Sequence, residues 1–262
     1  MENYHSHTEF CDGRASMAEI AASACEAGFK VWGISPHSPI CCESSCNMKK
    51  ECVDDFIHEA DRLKKIYAGK MQVLTGMEID YISKDFGPHI EYFRNLPLDF
   101  RIGSVHFVRT KSGNPVDVDG PAPRFLEFLN SEFEDDLEYV VRTYFDMELE
   151  MLEHGGFDII GHLDKIGDNG STSDPQLEDY GWYAEYVEKV IAKAVEKDVK
   201  IEINTKKFDN SGRFFPAERW WPLLKKCGAT IVVSTDAHYP DKVNAGYAAA
   251  LDRLAKAGIE VK

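Results

Sequence analysis

Seven short β-rich runs, each followed by a stretch with helical signals, constrain the fold of this chain more than any other feature of its sequence. They fall at 3–7, 30–35, 72–78, 100–106, 158–162, 200–204 and 230–234. Strands that alternate with helices build a parallel sheet with the helices outside it, open or closed into a barrel. Ser16 followed by Glu19 forms a capping box, and Gly28 stands where a glycine would stop that helix. Val53, Phe56, Ile57, Ala60, Leu63 and Ile66 have the three-and-four spacing of an amphipathic helix over 53–68. Similar patterns cover 137–152 and 183–195, and a last helix is expected over 245–257. The stretches 35–50, 111–123 and 167–179 read as irregular, and in an α/β barrel long loops after strands are natural lids. With no Pro- or Ser-rich linker and no fixed repeat, residues 1–262 are expected to form one domain.

The chemistry sits at the strand ends. Of nine histidines, six lie at or just after the C-terminal end of an expected strand: His5, His7, His37, His106, His162 and His238. Glu78 ends the third strand and Asp236 follows the seventh. In a barrel these ends converge on one face, so groups spread along the chain meet in one cup. His5 and His7 have one residue between them, which puts both imidazoles on the same side of a strand. Neutral imidazole with carboxylate suits borderline and hard divalent ions: zinc, manganese or iron. The groups outnumber the ligands of a single ion, so two or three ions are expected. His58, His89 and His154 read as ordinary packed or surface residues.

Composition narrows the partners. A formal net charge of −15 argues against nucleic-acid polymers and anionic membranes, which both need a basic footprint. It leaves room for a small anionic substrate met locally by bound cations. No run approaches the length of a membrane span, no leader signal is visible, and the seven cysteines are an odd number. These features point to reduced thiols in the cytoplasm. Cys41, Cys42, Cys46 and Cys52 follow no paired zinc-site spacing and read as loop thiols. The acidic run 132–136 reads as a helix start, and Trp220–Trp221 as core or lid packing.

In order along the chain, "YHSHTEFCDG", "SPHSP", "GMEIDY", "GSVHF", "GHLDKIG", "EINT" and "STDAHYP" resemble the polymerase and histidinol phosphatase (PHP) family, nearest its monofunctional histidinol-phosphate phosphatase branch. The resemblance implies a distorted (β/α)7 barrel with its metal site at the C-terminal ends of the strands. It also implies a ligand set: His5, His7, Glu78 and Asp236 on one ion, Glu78 bridging to a second held by His106 and His162, and His37, His238 and Asp12 on a third. Asp236, His238 and Glu78 are expected to be catalytic as well as ligating. Two positions depart from the family pattern: Asp12 stands where many relatives offer a histidine, and Pro36 where many carry an aspartate.

The activity so implied is hydrolysis of L-histidinol phosphate by a hydroxide that bridges two metals and attacks phosphorus. Arg213 is the expected phosphate clamp, with Lys206 or Arg14 as substitutes, because guanidinium matches phosphate in two-pronged fashion. Asp164 is expected to orient a ligand or meet the cationic end of the substrate. Other readings are a PHP phosphoesterase acting on another small phosphate or a nucleotide, and a non-catalytic metal-binding module. An amidohydrolase-type barrel would want a metal-bridging lysine at a middle strand end, and the fourth strand end offers none.

Overall fold

Period-two alternation in the runs separates two environments, and the tertiary structure follows from that separation. The computed structural model of the chain describes residues 1–261. Ten strands are present among them: β1 (Glu2–Asn3), β2 (Val31–Ile34), β3 (Gln72–Thr75), β4 (Glu78–Asp80), β5 (Ile102–Ser104), β6 (Phe107–Arg109), β7 (Pro115–Asp117), β8 (Ile159–Ile160), β9 (Lys200–Asn204) and β10 (Ile231–Ser234). Around them lie α1 (Met17–Glu26), α2 (Val53–Ile66), α3 (Glu91–Arg94), α4 (Ala122–Phe133), α5 (Leu137–His154), α6 (Ile166–Ser173), α7 (Gly181–Glu196), α8 (Phe208–Ser211), α9 (Trp221–Cys227) and α10 (Tyr247–Ala257).

Each expected run contributes to a parallel sheet. One sheet runs β1-β2-β3 and the other β10-β9-β8-β5-β4, all parallel. The run expected as one strand over 72–78 divides at Gly76 and Met77: β3 pairs with β2, and β4 pairs with β5. This division joins the two sheets on one side, assisted by a parallel bridge between His37 and Glu78. On the other side the seam is a bridge between Ser6 and Ala237, with His7 N–H donating to Ala237 O (2.9 Å) and Asp236 N–H to His5 O (3.0 Å). Regular ladders thus stop short of a full ring and single bridges complete it, which gives a distorted (β/α)7 barrel.

Outward residues such as Ile34, Ile79, Val105, Ile160, Ile201, Ile203 and Val233 are buried against the helices in the main core. Inward, Phe100, Ile102, Ile159 and Val232, with Tyr4 and Leu74, form a separate apolar plug. Gly76 belongs to the division of the third strand. A Cβ there would lie 2.2 Å from Cζ of Phe100, so the ring fills the space a side chain would need.

Helix ends follow their local signals. Ser16 Oγ accepts from Glu19 N–H (3.2 Å) and Glu19 Oε2 accepts from Ser16 N–H (2.8 Å), completing the capping box. Gly28 follows with φ +88°. Three readings are corrected. The stretch 111–123 is not irregular: β6 and β7 pair antiparallel and α4 starts at Ala122. The stretch 167–179 holds most of α6, whose Gly, Asn, Ser and Thr content hides it from propensity. Tertiary packing forms it instead, with Ile166 buried and Asn169 Nδ2 bonded to the carbonyls of Val118 (2.9 Å) and Gly120 (2.8 Å). The acidic run straddles two helices: Glu132 lies in α4, and Asp136 caps α5 by accepting from Tyr139 N–H (3.0 Å). All seven cysteines are free, and Trp220 and Trp221 are buried. Among the described residues no helix is long and apolar enough to cross a membrane.

Gly76→Ala forces the plug apart and is expected to cost about 1–3 kcal/mol. Chemical denaturation checks this, and a double-mutant cycle with Phe100→Leu should show coupling between the two sites.

Candidate metal centre

The same alternation carries polar groups above the plug. His5 and His7, Glu78 and Asp80, Ser104 and His106, and Glu202 and Asn204 are pairs two residues apart, and all eight are buried. Two of the remaining groups sit on strained backbone, His162 at φ 24° and Asp236 at φ 51°, where non-glycine residues are uncommon. Asp12 reaches the cup through the tight turn 8–13, in which Thr8 O accepts from Cys11 N–H (2.9 Å) and Gly13 N–H (3.1 Å). A Cβ on Gly13 would lie 2.3 Å from Thr8 N, so only glycine allows this turn.

Donor atoms converge in overlapping groups: His5, His7 and Asp236; His5, Glu78 and His162; His7, Asp12, His37 and His238; and His37, Asp80 and His106. Glu78 lies at the middle. Its Oε2 is 3.2 Å from His5 Nε2, 3.5 Å from His7 Nε2 and 2.9 Å from His37 Nδ1. Its Oε1 is 2.9 Å from His162 Nε2 and 3.4 Å from His106 Nε2. His7 Nε2 is 3.0 Å from Asp236 Oδ1, and His238 Nε2 is 3.3 Å from Asp12 Oδ1. All nine residues expected as ligands therefore meet in one cup, Asp12 beside His37 and His238.

An outer layer fixes the rings. His5 Nδ1 donates to Glu202 Oε1 (2.8 Å), His106 Nδ1 to Asp80 Oδ1 (2.7 Å) and His238 Nδ1 to the carbonyl of Asp236 (2.9 Å). Each bond leaves the Nε2 lone pair directed at the centre, the arrangement in which a carboxylate or carbonyl orients a metal-binding histidine. Asn204 Nδ2 donates to Asp236 Oδ2 (3.1 Å) and Ser104 Oγ to Glu78 Oε1 (2.8 Å). Glu202, Asn204, Asp80 and Ser104 were not singled out from sequence. The alternation that paired His5 with His7 also aligns Asp80 with Glu78 and Glu202 with Asn204, and would have found them.

The donor set fits divalent ions. Buried His5 Nε2, His7 Nε2, Asp12 Oδ1, His37 Nδ1 and Glu78 Oε2 make no hydrogen bond, an arrangement that costs free energy unless something binds them. Ligands at about 2.1 Å from one ion sit roughly 3–3.4 Å apart, the spacing of most pairs above. The electrostatics agree. Burial opposes charge on His5, but Glu202, Glu78 and Asp236 hold its pKa well above the ordinary value. Burial, His238 and His37 push His7 well below it. Burial also opposes ionisation of Glu78, yet His5, His37 and His106 keep its carboxylate ionised. Adjacent rings are thus pulled in opposite directions, His5 upward by carboxylates and His7 downward by burial and its neighbouring rings.

A cavity of 520 Å³ opens over the cup, lined by Asp12, His37, His106, Asp236 and His238 and by the cations Arg14 and Lys206. Lys206 Nζ is 3.3 Å from both Asp236 Oδ1 and His238 Nε2. Arg213 and Asp164 lie elsewhere. Arg213 Nη2 is bound to Glu178 Oε1 (2.5 Å) and lies 3.4 Å from Asp164 Oδ2, and neither Arg213 nor Asp164 lines the cavity. Asp164 is fully buried and also accepts from Ala217 N–H (2.9 Å). Burial raises its pKa to about 7 although Arg213 opposes the shift. His58 and His154 are exposed and His89 is half-buried.

Two substitutions separate scaffold from site. Arg213→Met strands a buried carboxylate and is expected to lower stability by about 3–5 kcal/mol in denaturant unfolding. Glu202→Gln keeps the shape but weakens the hold on His5, and metal affinity measured by competition with a chelator should fall about 10–100-fold.

Comparisons with known proteins place the chain. The family model described as "PHP domain" matches residues 3–206. A Schizosaccharomyces pombe protein named "Probable histidinol-phosphatase" is 25% identical over 274 residues, covering 97% of this chain and 86% of its own. The Saccharomyces cerevisiae histidinol-phosphatase is 30% identical over 230 residues, covering 74% of this chain and 64% of its own. Among solved structures, a Lactococcus lactis histidinol phosphate phosphatase complexed with zinc, L-histidinol and phosphate superposes with a TM-score of 0.76 at 19% identity, over 99% of this chain and 94% of that one. The matched span runs from the end of β1 through β9 with their strand-end histidines and Glu78, and on it the chain belongs to the PHP domain family.

Proposed function

We propose that this chain is a metal-dependent phosphomonoesterase that hydrolyses L-histidinol phosphate to L-histidinol and phosphate, with residues 1–262 acting as one domain. The observation that carries the reading is the convergence of buried, unpartnered histidine and carboxylate atoms beneath an open cavity with cations on its wall. The names of the relatives, and the zinc, L-histidinol and phosphate bound in the Lactococcus lactis structure, supply the substrate class.

Three ions would be held, by His5, His7, Glu78 and Asp236; by Glu78, His106 and His162; and by Asp12, His37 and His238. Zinc, manganese and iron all suit this mixture of imidazole and carboxylate. When bound, such ions acidify coordinated water toward neutral pH and neutralise charge on phosphoryl oxygens. The chain's own residues supply the rest. Glu202, Asp80 and the carbonyl of Asp236 fix the ring orientations of His5, His106 and His238. Lys206, at the rim beside Asp236 and His238, is the cation best placed to meet a phosphoryl oxygen, and Arg14 is exposed at the mouth without an ion pair among the described residues. Arg213 is a structural residue in this reading, because its guanidinium is engaged by Glu178 and Asp164.

Metal-loaded protein should hydrolyse L-histidinol phosphate faster than simple phosphate monoesters and lose that activity on chelation. Asp236→Asn is expected to lower kcat/KM by about 10²-fold or more. Equal rates on all esters would overturn the assignment of substrate, and full activity after verified metal removal would overturn the assignment of mechanism.

A further inference from the structure

Histidinol carries an ammonium group as well as its imidazole, so an enzyme that selects its phosphate ester needs a carboxylate facing the cup. Asp164, the acid expected for this task, is sealed behind the barrel by Ala217 N–H and Arg213. The acids that do line the cavity differ in how they are occupied. Asp80 is bound to His106 (2.7 Å) and Asn47 (3.0 Å), and Asp209 pairs with Lys242 (3.0 Å). Asp117 accepts from Asp119 N–H (3.0 Å) and lies 3.8 Å from Arg124.

Asp119 differs in that the cation holding it is buried. It sits on the strap between β7 and α4, and its side chain is 28% exposed. One oxygen, Oδ2, is 2.8 Å from Nζ of Lys165, a lysine only 9% exposed. The other, Oδ1, takes no hydrogen bond among the described residues, and Asp119 lines the cavity. The strap beneath it is fixed at three points. Val118 N–H donates to the carbonyl of His106 (2.9 Å), and Asn169 Nδ2 donates to the carbonyls of Val118 and Gly120. Burial resists the charge on Asp119, but Lys165, then His106 and Lys206, keep the carboxylate ionised. The result is a rigid anion on the cavity wall, tied to the backbone of a residue in the metal centre.

We infer that Asp119, oriented by Lys165 and the strap that Asn169 pins, is the specificity-determining residue that receives the ammonium group of an amino-alcohol phosphate ester. This rests on the phosphatase reading above and adds to it the origin of preference for a cationic alcohol. The selection follows from geometry: Lys165 fixes one oxygen, so the second presents its charge in one direction.

The test compares L-histidinol phosphate with its α-N-acetyl derivative, which has lost the ammonium charge, in metal-loaded wild type, Asp119→Asn and Asp119→Glu. Calorimetric binding of L-histidinol and N-acetyl-histidinol runs alongside. Wild type should prefer the free amine in both assays. Asp119→Asn should reduce that preference at least tenfold, mostly through KM, and Asp119→Glu should recover part of it. Metal content measured on each variant shows whether the cup is intact. Unchanged preference in Asp119→Asn with full metal content, or an equal loss on both esters, would overturn the inference. Amine-selective binding lost in Asp119→Asn, without turnover of any ester by wild type, would sustain the inference and remove the phosphatase reading instead.

Discussion

Four carboxylates, Glu78, Asp80, Glu202 and Asp236, are buried together in the mouth of the barrel, and much of the structure answers to that concentration of negative charge. A buried carboxylate survives as an ion only where cations or several hydrogen bonds compensate it. Here the partners are six histidines, and two neighbouring rings among them, His5 and His7, take opposite pKa shifts. Protons alone would have to be shared unevenly among them. Divalent ions would resolve the imbalance and satisfy the unpartnered lone pairs at the same time. The strained backbones of His162 and Asp236 fit this view, since local strain persists where the surroundings over-determine a position.

The barrel interior is divided in a way that supports this centre. Phe100, Ile102, Ile159 and Val232 fill the lower part, and the polar groups occupy the upper part of the same strands. A shift by one residue would exchange an inward polar group for an outward core residue, for example Glu202 for Ile203. Register is therefore specified twice, once by the outer helical core and once by the charge inside. The division of the third strand at Gly76 serves both parts: it makes room for the ring of Phe100 below and turns Glu78 toward the middle of the cup above.

Alternation of strands and helices was legible from the sequence, and so were the strand-end histidines, because both rest on local patterns. What sequence reasoning missed depends on partners distant in the chain. The helix Ile166–Ser173 has weak propensity and is held by contacts to the strap 118–121, which no window of its own sequence contains. Arg213 looked free because Glu178 and Asp164, its partners, lie 35 and 49 residues away. Asp119 was not singled out for the same reason, its lysine being supplied by the start of another helix. Glu202 and Asn204 were different, since their period-two placement was visible and only their role was unread.

The seam between the first and last strands has a consequence for how the protein is made. Thr235 N–H donates to Asn3 Oδ1 (2.7 Å) across 232 residues of chain, and the flanking bonds join His5 and His7 to Asp236 and Ala237. Drawing together ends so far apart costs roughly 5 kcal/mol of chain entropy before any contact forms. Two of the ligand-bearing segments are thus separated by most of the described residues. An ion captured early by His5 and His7 would find an incomplete shell, and the finished shell appears only when the ring is joined. Folding and metal acquisition would then share one late step, with a slow, topology-limited rate expected of such distant pairings, and a bound metal would stabilise the closed ring that created its site.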